Sequence, residues 1–274
     1  VYIATDGNGV HFLSHKDRKV VRRFFHDVND KEGIRSNSIY SLLVDDRGAV
    51  WVGHFQAGLD YSLYQNGLFR TYAYPPQFNS ANLSIRSFVN RGPEKVIGSR
   101  DGLFYINEAT GIVKSFVKPV LTSDLILTIC FYEGEYYIGT YGGGMMVLNP
   151  QTLSLKYFTQ GDTELFQKGH IFCVKPDNRG NLWIGTSQGL FCYNGQTKQI
   201  KNFTSTNSQL PEGNVYEGSF DSTGKGWIAT ETGMCIYDPA SQSLRSNVFP
   251  EGFVHKDTVR TIYEDAEHNL YFIR

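Results

Sequence analysis

One four-residue signature recurs along the whole chain: a large apolar residue, then Ile, Val or Phe, then a small residue, and often Thr. It occurs at Tyr2-Ile3-Ala4-Thr5, Trp51-Val52-Gly53-His54, Val96-Ile97-Gly98-Ser99, Tyr137-Ile138-Gly139-Thr140, Trp183-Ile184-Gly185-Thr186 and Trp227-Ile228-Ala229-Thr230. A degraded seventh copy is Tyr271-Phe272-Ile273-Arg274. Successive copies are 49, 45, 41, 46, 44 and 44 residues apart. A motif that performs chemistry usually occurs once. A motif that returns about every 44 residues builds a repeat architecture, in which each repeat buries its apolar face on its neighbour.

Residues 169–204 show the parts of one repeat. "IFCVK" at 171–175 is a short β-prone run, and Asp177-Asn178-Arg179-Gly180 is a turn. "LWIGT" is a second strand, Ser187-Gln188-Gly189 a turn, "LFCYN" a third strand, and "QIKNF" at 199–203 a fourth. Four strands of about five residues, joined by short polar turns, make an antiparallel meander. The repeated meander predicts an all-β fold, a β-propeller of four-stranded antiparallel blades. Counting second strands gives seven blades with incomplete ends. The alternative is six, with "VRTIYED" at 259–265 completing the N-terminal blade. A single domain over residues 1–274 is expected, as a piece of a larger multi-domain protein.

In this frame the repeated residues read as scaffold. Asp-x-x-Gly recurs at Asp45–Gly48, Asp177–Gly180 and Asp221–Gly224. The Asp can accept backbone N–H bonds and the Gly can supply a positive φ. A calcium loop would need several closely spaced carboxylates. A small residue at position 185 lets a bulky side chain of the next blade approach. Before each third strand stands a glycine: Gly9, Gly58, Gly102, Gly144, Gly189 or Gly233. A positive φ or a bulge is expected there.

Composition narrows the function. Lys and Arg number 26 against 27 Asp and Glu, a net charge of −1. Nothing steers the chain toward nucleic acid or an anionic membrane. No run of 18 apolar residues is present to form a membrane helix. The seven histidines are scattered without metal-pair spacing, no Gly-x-Ser-x-Gly elbow occurs, and no cofactor or metal is implied. Cys173 and Cys192, on the first and third strands of one repeat, stand about 9–10 Å apart, too far to bridge. All four cysteines read as core residues.

"NSIYSLLVDDRGAVWVG" at 37–53 and "GHIFCVKPDNRGNLWIGTSQGLF" at 169–191 resemble the two-component regulator propeller repeat. Residues 213–234 and 258–273 are similar to it more loosely, and the repeats at 79–118 and 121–159 lack the Asp turn and the Trp. The resemblance implies a periplasmic sensor region, part of an inner-membrane hybrid two-component histidine kinase of gut bacteria that responds to glycan fragments. It implies an adjacent propeller and immunoglobulin-like domains as partners, and a homodimer in the full-length sensor. It implies no catalysis by this chain and transfers no binding residue.

Recognition is expected on the loops, which vary while the repeat cores cannot. The connections at 26–38, 74–84, 159–170 and 247–258 are long and varied. The candidate ligand-binding residues are Arg35, Asn37, His54, Phe55, Gln56, Arg100, Asp101, Tyr141, His170, Gln188 and Glu231. Aromatic faces suit pyranose rings, and the polar groups suit hydroxyls. The leading expectation is a sensor module that binds an oligosaccharide or docks a partner domain. The alternatives are a propeller glycosidase or lyase, and a pure protein-interaction scaffold. Against an enzyme, no acid and nucleophile pair can be named, and the Asp-x-x-Gly spacing differs from the Asp-x-Gly-x-x-Trp box of sialidase-type propellers.

Overall fold

The structure, a computed structural model, describes residues 1–14, 16–45, 47–62, 68–72, 83–161, 163–221, 223–246, 258–264 and 270–273. Of the expected recognition loops, 74–84 and 247–258 lie almost wholly outside the described residues, as do His15, His255 and His268. The chain divides into two compact units, Val1–Ile126 and Leu127–Arg274.

The first unit opens with a three-stranded sheet of β1 (Tyr2–Ala4), β2 (Val10–Ser14) and β3 (Lys19–Phe24). Two four-stranded sheets follow: β4 (Ile39–Val44), β5 (Val50–His54), β6 (Leu59–Ser62) and β7 (Phe69–Thr71); then β8 (Ile85–Arg91), β9 (Glu94–Ser99), β10 (Leu103–Asn107) and β11 (Ile112–Phe116). From the boundary onward come β12 (Ile126–Tyr132), β13 (Glu135–Thr140), β14 (Met145–Leu148) and β15 (Leu155–Tyr157). A short helix α1 (Thr163–Lys168) leads to β16 (Ile171–Pro176), β17 (Asn181–Thr186), β18 (Gly189–Asn194) and β19 (Ile200–Phe203). The last full sheet is β20 (Val215–Phe220), β21 (Gly226–Thr230), β22 (Gly233–Asp238) and β23 (Ser243–Arg245), and β24 (Thr261–Glu264) pairs with β25 (Leu270–Ile273).

Strand order within each sheet follows the sequence, and the ladders are antiparallel, as in β16 to β19. The seven signature copies fall on the second strands β1, β5, β9, β13, β17, β21 and β25. This is the all-β propeller architecture of four-stranded blades. Six blades of three or four strands are present among the described residues, the alternative count. The ladder β24–β25 is the incomplete C-terminal end of the seven-repeat reading.

Second strands such as β13 and β17 are buried on both faces, which explains their near-continuous apolar runs. Trp183 packs against Phe203, Phe220 and Tyr237, at ring-centroid distances of 5.9, 5.0 and 4.5 Å. It therefore joins its own sheet to the next. Trp51 does the same work with Tyr61 and Phe88. Gly185 makes room for this packing: a Cβ there would lie 2.7 Å from the Val215 carbonyl of the following blade. The six glycines before the third strands all have positive φ, from 68° at Gly9 to 138° at Gly233.

The Asp turns are scaffold, with a bond that the sequence did not announce. Asp177 Oδ1 accepts the Arg179 and Asn181 backbone N–H groups at 2.8 and 2.9 Å, and its Oδ2 accepts Trp183 Nε1–H at 2.8 Å. Asp45 repeats the arrangement with Arg47, Ala49 and Trp51. The turn carboxylate thus satisfies the buried indole six residues later. The helix α1 lies where a loop was expected. It is too short to show periodicity, and its Leu165 and Phe166 are buried in the core of the second unit.

Candidate functional site

The blade rim is built on one repeated hydrogen bond. At the end of five of the second strands a hydroxyl donates to the carbonyl of the glycine that opens the third. The pairs are Thr5 to Gly9 (2.9 Å), Ser99 to Gly102 (3.1 Å), Thr140 to Gly144 (2.9 Å), Thr186 to Gly189 (2.8 Å) and Thr230 to Gly233 (2.9 Å). In three blades the same oxygen accepts a loop N–H, from Asp101, Gly143 or Gln188. The loop closes on a fixed base and presents its tip residues to solvent.

His54 stands where the other blades have this hydroxyl, and it is fully buried. Its Nε2 is 2.8 Å from Asp60 Oδ2, while Arg35 donates from Nε to Oδ1 and from its backbone N–H to Oδ2, both at 2.9 Å. Burial alone would raise the Asp60 pKa. The hydrogen bond and charge of His54 and the Arg35 guanidinium outweigh it and hold the carboxyl below its ordinary value. Asn37 is also engaged: its carbonyl accepts the Gly7 and Gly9 N–H groups, and its Oδ1 accepts the His26 N–H. In the first unit, then, Arg35, Asn37 and His54 are engaged in hydrogen bonds within the fold, and of the three only His54 is fully buried.

The exposed part of that rim holds Gln56, Arg100 and Asp101. Phe55 is half-buried, with its ring 5.1 Å from that of Tyr40. The Arg86 guanidinium lies over the other partner, 4.9 Å from the Tyr40 centroid.

Tyr40 and Arg86 were not expected from sequence, and their origin is the β-bulge. The register of the first strand slips between Ile39 and Ser41, Ile85 and Ser87, Ile171 and Cys173, and Val215 and Glu217. The extra residues are Tyr40, Arg86, Phe172 and Tyr216. A bulge frees one residue from the ladder and re-aims its side chain. Arg260 follows Val259 as Tyr216 follows Val215. The legible signal was a large residue directly after the apolar residue that starts each first strand. Strict alternation assigns that residue to a sheet face and so hides it.

In the second unit these side chains form one strip with two of the expected residues. Tyr141, half-exposed, stacks on His170 at 4.0 Å. His170 lies 6.2 Å from Phe172, Phe172 meets Tyr216 edge-on at 5.2 Å, and the Arg260 guanidinium sits 4.0 Å above the Tyr216 ring. His170 Nδ1 is buried and has no hydrogen-bond partner among the described residues. Beside the strip, Asn214 Nδ2 donates to Tyr216 Oη (3.2 Å) and to Glu231 Oε2 (3.0 Å). Glu231 and Gln188 are exposed. Among the described residues no cluster of three His, Cys, Asp or Glu side chains is arranged to hold a metal.

Residues 33–56 and 166–188, one segment in each unit, match the family described as two component regulator propeller. No curated protein matches the sequence. Among solved structures, it is similar to the extracellular domain assigned to the hybrid two component system BT3049 of B. thetaiotaomicron, with 23% identity and a TM-score of 0.80. The corresponding domain of BT4673 from the same organism gives 17% and 0.75. In both cases the match covers 99% of this chain and 36% of the other. PorZ, a surface component of the type-IX secretion system of Porphyromonas gingivalis, gives 16% and 0.63, over 83% of this chain and 35% of that one. At these identities the likeness establishes the fold, and this chain spans just over a third of the neighbours' length.

Proposed function

We propose that this chain, which carries two component regulator propeller repeats, is the non-catalytic recognition module of a periplasmic sensor and binds an oligosaccharide on the strip from Tyr141 to Arg260. The contiguity of that strip carries the reading. Five side chains from three loops and two bulges line up into one surface of aromatic faces ending in a guanidinium. Aromatic faces cover the C–H faces of sugar rings, while amide, carboxylate and guanidinium groups fix hydroxyls. Asn214 and Glu231 stand beside the strip, and Arg260 ends it, in those roles. Similarity to extracellular domains of hybrid two-component systems supports the sensor reading. On it, the full protein carries a membrane helix and a histidine kinase beyond this chain.

The test is calorimetry of the whole chain against a panel of plant and host oligosaccharides, with Tyr216→Ala and Arg260→Ala as variants. One member should bind the parent chain and lose affinity in both variants while the melting temperature stays unchanged. Binding unaffected by either substitution would refute the strip as the site. Steady release of reducing ends from the bound glycan would refute the non-catalytic reading.

A further inference from the structure

Blades end in an outer strand, so six outer strands can be compared at one topological position. β7, β11, β15, β19 and β23 each carry a single cation: Arg70, Lys114, Lys156, Lys201 and Arg245. Four of these are engaged locally. Lys114 and Lys201 lie 5.2 and 4.8 Å from the Phe116 and Phe203 ring centroids. Lys156 and Arg245 pair with Glu135 and Asp238 at 3.2 and 3.1 Å.

β3 breaks this pattern. It carries Lys19, Arg22 and Arg23, and the turn before it adds Lys16 and Arg18; all five are exposed. Among the described residues no carboxylate pairs with Lys16, Arg18, Lys19 or Arg23. β3 has six residues, where the other outer strands have three to five. A register slip opposite Phe12 and Leu13 makes Val21 an extra residue, and Val20 and Val21 are 38% and 55% exposed. The strand is the terminal member of its sheet, so one backbone edge faces outward.

Cations on an edge keep a sheet from pairing with its own copies. One per strand suffices in the sister blades. Two copies of β3 would set Lys and Arg against Lys and Arg, which excludes self-pairing and favours an anionic occupant. A long backbone edge and two exposed valines add what an extended chain needs and a simple anion does not. We infer that β3 is a docking edge for an extended acidic protein segment, which adds to the sheet as a further strand. Its carboxylates meet Lys19, Arg22 and Arg23, its apolar residues cover Val20 and Val21, and its backbone pairs with the open edge. This edge belongs to the first unit and is independent of the recognition strip.

The probe is a short labelled peptide of alternating Glu and Val, titrated against the whole chain by fluorescence anisotropy. Alternating Lys and Val, the Glu–Val peptide N-methylated at every second residue, dextran sulfate and anionic lipid vesicles serve as comparisons. The Glu–Val peptide should bind, weaken as salt is raised, and lose on the order of tenfold in affinity with Lys19→Glu plus Arg23→Glu. N-methylation keeps the charge and removes the backbone donors, so that peptide should bind far more weakly to the unaltered chain. Equal binding of the N-methylated peptide would overturn the proposal, as would dextran sulfate or vesicles as the tighter ligands; the patch would then be a general polyanion or lipid surface. Failure of the Glu–Val peptide to bind would overturn it as well.

Discussion

Asp177 and Trp183 show how one repeated residue pair holds a blade. The indole is buried and its only polar atom donates to a turn carboxylate. Asp177→Ala leaves that N–H unsatisfied and opens the turn, a loss of about 1–3 kcal/mol. Trp183→Ala removes the ring shared by two sheets, a loss of roughly 3–5 kcal/mol. Urea unfolding of the two single variants and the double should show that the effects do not add, because the pair acts as one unit. Asp45 gives the pH counterpart. Burial would raise its pKa, yet the bonds from Trp51, Ala49 and Arg47 hold it below the ordinary carboxylate value. Asp60 is shifted in the same direction. A carboxyl depressed by folding contributes fully above its unfolded pKa, about 3.9, and the contribution fades as pH falls through the lower folded value. Melting temperature should therefore drop as the solution is acidified below about pH 4, and Asp45→Asn should flatten that drop.

At the scale of the strand, the small residue of the signature sets how closely blades approach. Gly53 and Gly139 face Ile85 and Ile171, as Gly185 faces Val215. These neighbours are the residues that open the next first strand. Gly185→Ala would put a methyl 2.5 Å from Cys173 Sγ and 2.7 Å from the Val215 carbonyl oxygen, so the neighbouring backbone must shift. Denaturant midpoints should fall by the equivalent of about 1–3 kcal/mol. The cysteines sit on first and third strands, β12, β16, β18 and β22, and all four are free thiols. Burial pushes the Cys130, Cys192 and Cys235 thiols up to about 12. The native protein should react slowly with a thiol reagent near neutral pH and expose four thiols once unfolded without reductant. Fewer than four would show that the strands place these residues differently.

At the scale of the molecule, uniform blades carry non-uniform rims. The strip in the second unit joins Tyr141 and His170 to the bulge-borne Phe172 and Tyr216 and to Arg260, whereas Arg100 stands exposed on the first unit. Tyr141→Ala should weaken ligand binding on the order of tenfold, about 1.4 kcal/mol. Arg100→Ala should leave it unchanged. Equal losses in both variants, measured by calorimetry on the whole chain, would mean that the ligand is not read by the second unit alone.

Much of this molecule was written in the order of its residues. The period near 44, the four strands of each meander, the Asp turns and the positive-φ glycines are local or repetitive features. Each depends on backbone sterics and on side chains within a few residues, so sequence alone determined them. What only the tertiary structure decided depends on neighbours far away in the chain. His54 read as a rim residue because it replaces a threonine; its burial follows from Asp60 and from Arg35, which arrives from a preceding loop. The aimed rings of Phe172 and Tyr216 were silent for a related reason. A bulge shifts the pairing by one residue, and that slip is fixed by contacts between strands rather than by the alternation within one.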